Sequence, residues 1–279
     1  MHASYRQLRG GAGVTLLALA SALGAGCAVT TQQEVQLGSQ QAAQVNQQLP
    51  IVTDPQLSNY VNSLGHALAS RGERRDIPWH FYIVNSDVVN AMSLPGGYVY
   101  VDRGVITHAG SASELAGVIA HEIGHVEHRD QVAELERVQG ANVGLTLAYV
   151  LLGRQPSAIE QAGVQVAGAA VFAHYDRNME SNADAEAVAL TTRAGYTPEG
   201  LVIFFRRLIQ LRQSRPSSVA QWFATHPTEE VRIQATQGLI DQTVPRATVR
   251  RLTVDTRSFE SFKARMARYP APPQKYRTR

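Results

Sequence analysis

Cysteine is almost absent: Cys27 is the only one in 279 residues. No disulfide can form within the chain, so its stability must come from packing. No apolar run reaches the roughly 20 residues that a membrane-spanning helix needs. The longest stretches, Val14–Leu23, Ala141–Gly153 and Ala162–Ala173, are each about half to two thirds of that length. No internal repeat is present. Aromatic residues make up only 7% of the chain, and none interleave with basic residues in the manner of a nucleic-acid surface, so nucleic acid is not an expected partner. What remains is ordinary globular composition, 44% hydrophobic and 18% charged. It implies one domain of roughly 200 residues with terminal extensions.

The net charge of +3 conceals an asymmetry. Ten Lys or Arg between Arg246 and Arg279 stand against Asp255 and Glu260, giving +8. Arg6 and Arg9 add +2 near the start, which leaves the body of the chain at −7. The basic segment can lie on its own acidic domain or contact an anionic membrane surface.

Arg6 and Arg9 precede the apolar run Val14–Leu23, the layout of an export signal. Leu23-Gly24-Ala25-Gly26-Cys27 follows. Small residues directly before a cysteine resemble a bacterial lipobox, in which Cys27 becomes lipidated. The leucine stands four rather than three residues before it. Ordinary secretory cleavage after Ala20-Ser21-Ala22 is the competing reading and leaves Cys27 as a free thiol. Ala28, where an aspartate would direct retention elsewhere, resembles sorting to the outer membrane. The expected organisation is a signal peptide at 1–26, a linker running into a helix at 27–50, a catalytic domain at 51–243 and a basic tail at 244–279.

Along the body, Leu57, Tyr60, Val61, Leu64 and Leu68 recur at helical spacing between Asp54 and Arg71. Trp79–Val84 reads as a strand, and Gly96-Gly97 turns into a second at Tyr98–Val101. Ser111-Ala112-Ser113-Glu114 has the form of a capping box opening a helix that runs to about Arg129. Ala141–Gly153 and Ala162–Ala173 read as a helical hairpin. Further helices are expected over 178–193, ended by Gly195, from Pro198 with Thr197 as cap, and from Pro227 to about Leu239. The end of the chain is Pro-rich and expected to fray. The sum is an α+β fold, mostly helical, with a small β-sheet.

The chemistry is concentrated in His121-Glu122-Ile123-Gly124-His125. On a helix, positions i and i+4 share a face, so both imidazoles can reach one cation. Imidazole donors suit zinc. Glu122 lies where its carboxylate reaches a water rather than the metal, the place of a general base. Two surface histidines paired by chance are the alternative, but unpaired imidazoles deep in an apolar helix would be costly. A third protein ligand is required. His128 shares the face, yet a straight helix carries it about 10.5 Å from His121. Glu180, one turn before Asp184, fits better, with Asp184 orienting His121 or His125. An acidic helix start facing solvent is the other explanation of that pair.

His-Glu-Ile-Gly-His, Arg177-x-x-Glu180-x-x-x-Asp184, His226-Pro227 and Arg232, preceded by Asn90–Val101, follow one another in the order seen in a known family. The sequence resembles the HtpX and CaaX-prenyl-protease family of gluzincin metallopeptidases, in its soluble envelope branch, over roughly residues 50–240. The resemblance implies a zincin-like domain with its small sheet beside the motif helix, one zinc ion on His121, His125 and Glu180, and Glu122 as the catalytic residue. Family members carry a second acidic residue two after the ligand glutamate, where this chain has Asn182. In the family's His-Pro motif the histidine lies near the metal. His226 is therefore expected to donate to a developing oxyanion or to fill the fourth position and hold the site shut. Arg232 either pairs with a site carboxylate or faces solvent.

The expected function is endopeptidase action on misfolded or unassembled envelope proteins from the periplasmic side of the outer membrane. Substrate would lie extended against a strand edge, with Gly97–Val101 as the candidate edge. Two other classes remain: a chaperone-like assembly factor using the same fold with little cleavage, and a structural lipoprotein without metal.

Overall fold

The computed structural model describes residues 28–137, 175–228 and 230–278. The export segment, Cys27 and the apolar stretches Ala141–Gly153 and Ala162–Ala173 lie outside the described residues.

A capping box opens the first helix. Thr30 accepts from the Gln33 amide while the Gln33 side chain accepts from the Thr30 N–H, and α1 (Thr31–Gln48) follows. The span expected to begin as linker is thus helical almost throughout. Asp54 caps α2 (Pro55–Ala69) by accepting from the Gln56 and Leu57 amides, and Leu57, Val61, Leu64 and Leu68 are buried as their spacing predicts.

Three strands form one sheet: β1 (His80–Val84), β2 (Ala91–Leu94) and β3 (Tyr98–Asp102). Their order is β1-β3-β2, with β3 parallel to β1 and antiparallel to β2. The β2–β3 turn uses Gly96 and Gly97 at φ of 74° and 93°, a region open to glycine at little cost. The expectation that Gly97–Val101 is an edge is corrected here. Strand β3 is central because β1 returns to pair on its far side, and β2 is the edge beside the motif helix. Alternation along the strands is strict. Phe81, Ile83, Val99 and Val101 enter the main core, while Tyr82, Tyr98 and Tyr100 face the other way. Ala42 and Val45 of α1 and its C-cap residue Leu49 cover that outer face.

After α3 (Arg103–His108) comes α4 (Ala112–Glu127), the centre of the molecule, with Ala112 to Val126 all buried. Ser111 caps it by accepting from the Glu114 amide. Only that half of the capping box forms, because the Glu114 carboxylate instead accepts from Arg207 at 3.0 and 3.2 Å. Helical residues 130–137 follow a short turn. Then come α5 (Arg177–Arg193), capped by Asp176, and α6 (Glu199–Ser214), both packed on α4. Thr197 does not cap α6: the hydroxyl has no hydrogen-bond partner, and the helix starts after Pro198. Next are α7 (Pro216–Thr225), which the sequence reading did not anticipate, and α8 (Glu230–Thr243).

The basic tail expected at 244–279 is folded over much of its length, and its Pro-rich end holds a 3₁₀ turn at Gln274–Tyr276. Two more helices, α9 (Arg246–Val249) and α10 (Arg257–Arg268), lie within it. Phe259, Phe262 and Met266 of α10 enter the main core, where the Phe262 ring stacks on Tyr60 at 4.2 Å. Alternating arginines masked this apolar stripe of period 3–4. The basic segment thus lies on its own domain, and Arg265 donates to both oxygens of Asp54 at 2.8 and 2.6 Å.

That pairing lowers the Asp54 carboxyl to about 2, through the Arg265 hydrogen bond foremost. A carboxyl depressed in the folded state stabilises above its unfolded value of about 3.9, and the contribution disappears as pH falls through the folded value. Arg265→Ala is therefore expected to lower the unfolding midpoint at pH 6 and to match wild type near pH 2, as thermal melts across that range would test. A difference independent of pH would exclude the ion pair as its origin.

Candidate metal centre

The motif helix and its neighbour approach closely because both carry small residues at the crossing. A Cβ on Gly124 would lie 2.9 Å from the Cα of Ala183 on α5. The glycine between the two histidines therefore lets α5 close on α4 and brings Glu180 alongside them. His226 arrives from a third direction as the C-cap residue of α7. Its turn is fixed by Thr228, whose hydroxyl donates to the His226 carbonyl and accepts from Trp222 Nε1.

His121, His125, Glu180 and His226 each present one donor atom, all within 4.8 Å of one another and all buried. His121 Nε2 and His125 Nε2 are 3.1 Å apart, and Glu180 oxygens lie 3.6 and 3.5 Å from them. His226 Nδ1 is 3.4 Å from His121 Nε2 and 2.9 Å from Glu180 Oε1. Ligand atoms tetrahedrally placed about 2.05 Å from zinc would be separated by about 3.4 Å. His128 ends α4 and is not in this group.

Donor chemistry tests the fit further. His125 Nδ1 lies 2.7 Å from Asp130 Oδ2, and His121 Nδ1 lies 3.0 Å from Asp184 Oδ1. Asp130 accepts from His125 Nδ1 and so leaves a lone pair on its Nε2, and the Asp184 carboxylate, at ion-pair distance from His121 Nδ1, favours the same tautomer there. Two such lone pairs facing at 3.1 Å repel unless a proton or a cation stands between them. Burial holds His121 below its ordinary value. Burial also disfavours charge on His125, but hydrogen bonds to Asp130 and Glu180 prevail and raise it to about 9. Burial alone would raise Glu180, yet His226, His125 and Arg232 hold it well below the usual carboxylate range. Asp184 is held low in the same way by Arg232. The pocket thus has an excess of buried negative charge and draws a proton onto His125. A divalent cation supplies that positive charge in a form that four converging donors can share.

The base has its own support. Glu122 Oε2 accepts from Ser93 Oγ at 3.1 Å, and Ser93 Oγ accepts from Gln131 Nε2 at 2.9 Å. Gln131 Nε2 also donates to the Tyr175 hydroxyl at 2.7 Å, and the Tyr175 ring stacks on His125 with centroids 3.8 Å apart. Glu122 Oε1 and His226 Nε2 face each other at 3.5 Å, and neither has a hydrogen-bond partner. Arg232 pairs with both Glu180 and Asp184 and lies 4.6 Å over the Phe205 ring.

Every described residue expected at the site is therefore in one place: His121, Glu122, His125, Glu180, Asp184, His226 and Arg232. Cys27, expected as a lipid attachment point, lies outside the described residues. Sequence reasoning missed Asp130, Ser93, Gln131 and Tyr175. Asp130 stands five residues after His125, off the helical face, and reaches back only because Arg129 reverses the chain at φ of 56°. Ser93 and Tyr175 carry no spacing relation to the motif.

Comparison with known proteins is consistent with this geometry. The family model described as peptidase family M48 matches residues 55–240. The beta-barrel assembly-enhancing protease of Escherichia coli O157:H7 is 30% identical over 233 residues, covering 79% of this chain and 46% of that protein. Its counterpart in Yersinia pestis is 30% identical over 232 residues, covering 80% and 47%. The mitochondrial metalloendopeptidase OMA1 of Arabidopsis thaliana is 30% identical over 177 residues, covering 63% and 34%. The chain spans about half the length of the bacterial relatives.

Proposed function

Because the chain belongs to peptidase family M48, a family of zinc metalloproteases, we propose that it is an endopeptidase that cleaves unfolded or misfolded proteins of the bacterial envelope. The observation that carries the reading is the convergence of three imidazoles and one carboxylate within 4.8 Å, beside the carboxylate of Glu122. His121, His125 and Glu180 would hold the metal. When bound, zinc polarises a carbonyl oxygen and lowers the pKa of water from 15.7 towards about 7.

The remaining work falls to the chain's own groups. Ser93 and Gln131 fix one oxygen of Glu122 and leave Oε1 free to take a proton from water. The same carboxyl then delivers the proton to the leaving amine. Asp130 holds His125 in one tautomer and orientation by hydrogen bonding, and the Asp184 carboxylate beside His121 Nδ1 biases that ring the same way. Ser93 lies on β2, so substrate added along that edge by main-chain hydrogen bonds passes directly over the base. Recognition through backbone groups tolerates many sequences, which suits unfolded clients. The names of the bacterial relatives point to β-barrel assembly as the setting. The chaperone-like alternative gains no support from the family match.

Export, lipidation at Cys27 and residence at the outer membrane remain part of this proposal. Exposed Arg246, Arg250, Arg251, Arg257 and Arg268 would face an anionic surface. Metal analysis of the purified chain, paired with cleavage of an unfolded substrate such as casein, tests the central reading. Near-zero zinc at neutral pH would sink it.

His226 occupies the spacing of a fourth ligand, which favours the latch over the oxyanion donor. His226→Ala is then expected to raise the casein rate. An open form populated on the order of 10% gives a rise of about tenfold. A lower rate in that variant would assign the oxyanion role instead.

A further inference from the structure

We propose that Glu34, on the N-terminal helix α1, is a positioning residue for the metal centre, acting through the left-handed turn at Arg129. The inference rests on the zinc reading above and extends it to a helix outside residues 55–240.

Glu34 is 1% exposed, unusual for a carboxylate on a largely polar helix. Its Oε2 accepts from Arg74 Nη2 at 3.1 Å and from Arg129 Nε at 2.9 Å. Its Oε1 accepts from Arg74 Nη1 and from the Gly96 amide, both at 3.3 Å. The helix can bring it there because Gly38 has no side chain: a Cβ at that position would lie 1.8 Å from the Pro95 carbonyl oxygen.

Arg129 is the only non-glycine residue with positive φ among the described residues. That conformation crowds Cβ against the backbone, and it persists only where surrounding contacts impose it. Here the imposing contacts are Glu34 on Nε and the Val29 carbonyl on Nη2, both from the N-terminal segment. The reversal at Arg129 aims the next two side chains at the site. Asp130 accepts from His125 Nδ1 at 2.7 Å, and Gln131 donates to Ser93, which donates to Glu122. Meanwhile the Gly96 amide ties Glu34 to the turn directly after β2, the strand that carries Ser93. One buried carboxylate therefore pins both walls of the centre: the turn that orients a zinc-binding imidazole, and the strand that holds the base.

A buried ion pair with a merely structural role is the competing explanation, and zinc affinity separates the two. The apo forms of the chain and its variants would be titrated with zinc against a chromophoric chelator, with circular dichroism as a check on folding. Glu34→Gln is expected to bind zinc about tenfold more weakly, the lower end of the cost of disturbing groups behind a ligand. Adding Arg129→Gly to Glu34→Gln should restore affinity to within about twofold, because glycine adopts the left-handed turn unaided. Phe262→Ala, which loosens the core far from this path, should leave zinc affinity unchanged. If Glu34→Gln does not fold, the pair Arg129→Ala and Arg129→Gly decides: alanine should lose about tenfold and glycine should lose nothing.

Wild-type affinity in Glu34→Gln, no rescue by Arg129→Gly, equal loss in Phe262→Ala, or equal behaviour of the Arg129 pair would each overturn the proposal. If wild type itself takes up no zinc, the metal-centre reading fails and this inference fails with it. Zinc uptake equal in wild type and Glu34→Gln sinks this inference alone.

Discussion

Glu122→Gln is expected to lower casein hydrolysis by about 10²–10⁴-fold, the usual worth of a positioned proton-transfer group. Zinc content should not change. Glutamine keeps the length and shape of the side chain and can still accept from Ser93, so the support seen at 3.1 Å survives. What disappears is the basicity of Oε1, the oxygen left without a partner beside His226 Nε2. Initial rates and metal content measured on the same preparations make the test sharp. Equal rates would remove Glu122 from the chemistry. A rate loss accompanied by zinc loss would mean that the substitution had disturbed the centre rather than the base.

His125→Ala should reduce zinc affinity by more than about 100-fold, the upper end of what disturbing a group behind a ligand costs. Removing the ligand itself must exceed that. The imidazole is fully buried and joined to Asp130 at 2.7 Å. Its loss leaves a carboxylate with no partner for its charge and a cavity beneath the Tyr175 ring. A lower unfolding midpoint should accompany the lost zinc, and hydrolysis should fall to background. Retention of one zinc per chain at neutral pH would show that the ion sits elsewhere. The Asp130→Asn variant offers an internal scale, since it keeps the ligand and weakens only its support.

Elements and residues whose roles follow from local spacing were legible in the sequence. The apolar positions of α2, the i and i+4 imidazoles on α4, and the Glu180–Asp184 turn of α5 each repeat at the period of a helix. The order of motifs then brought His226 and Arg232 into the same picture. What was not legible depends on where the chain goes after an element ends. Asp130 reaches His125 only through a reversal that no propensity rule assigns to an arginine. The edge role of β2 depends on β1 pairing beyond β3, a long-range choice with no local mark. The stripe of Phe259, Phe262 and Met266 was hidden because four basic residues on the same helix dominate its composition.

The stacking of Tyr60 on Phe262 has a bearing on biogenesis. Helix α2 lies near the start of the described chain, and the helix that completes its packing lies near the end. A ribosome releases these partners far apart in time. Until α10 emerges, the nascent chain lacks one wall of its interior, and contacts of such high sequence separation form late. A chain assembled in this order closes the core beneath its metal centre only once α10 has been made.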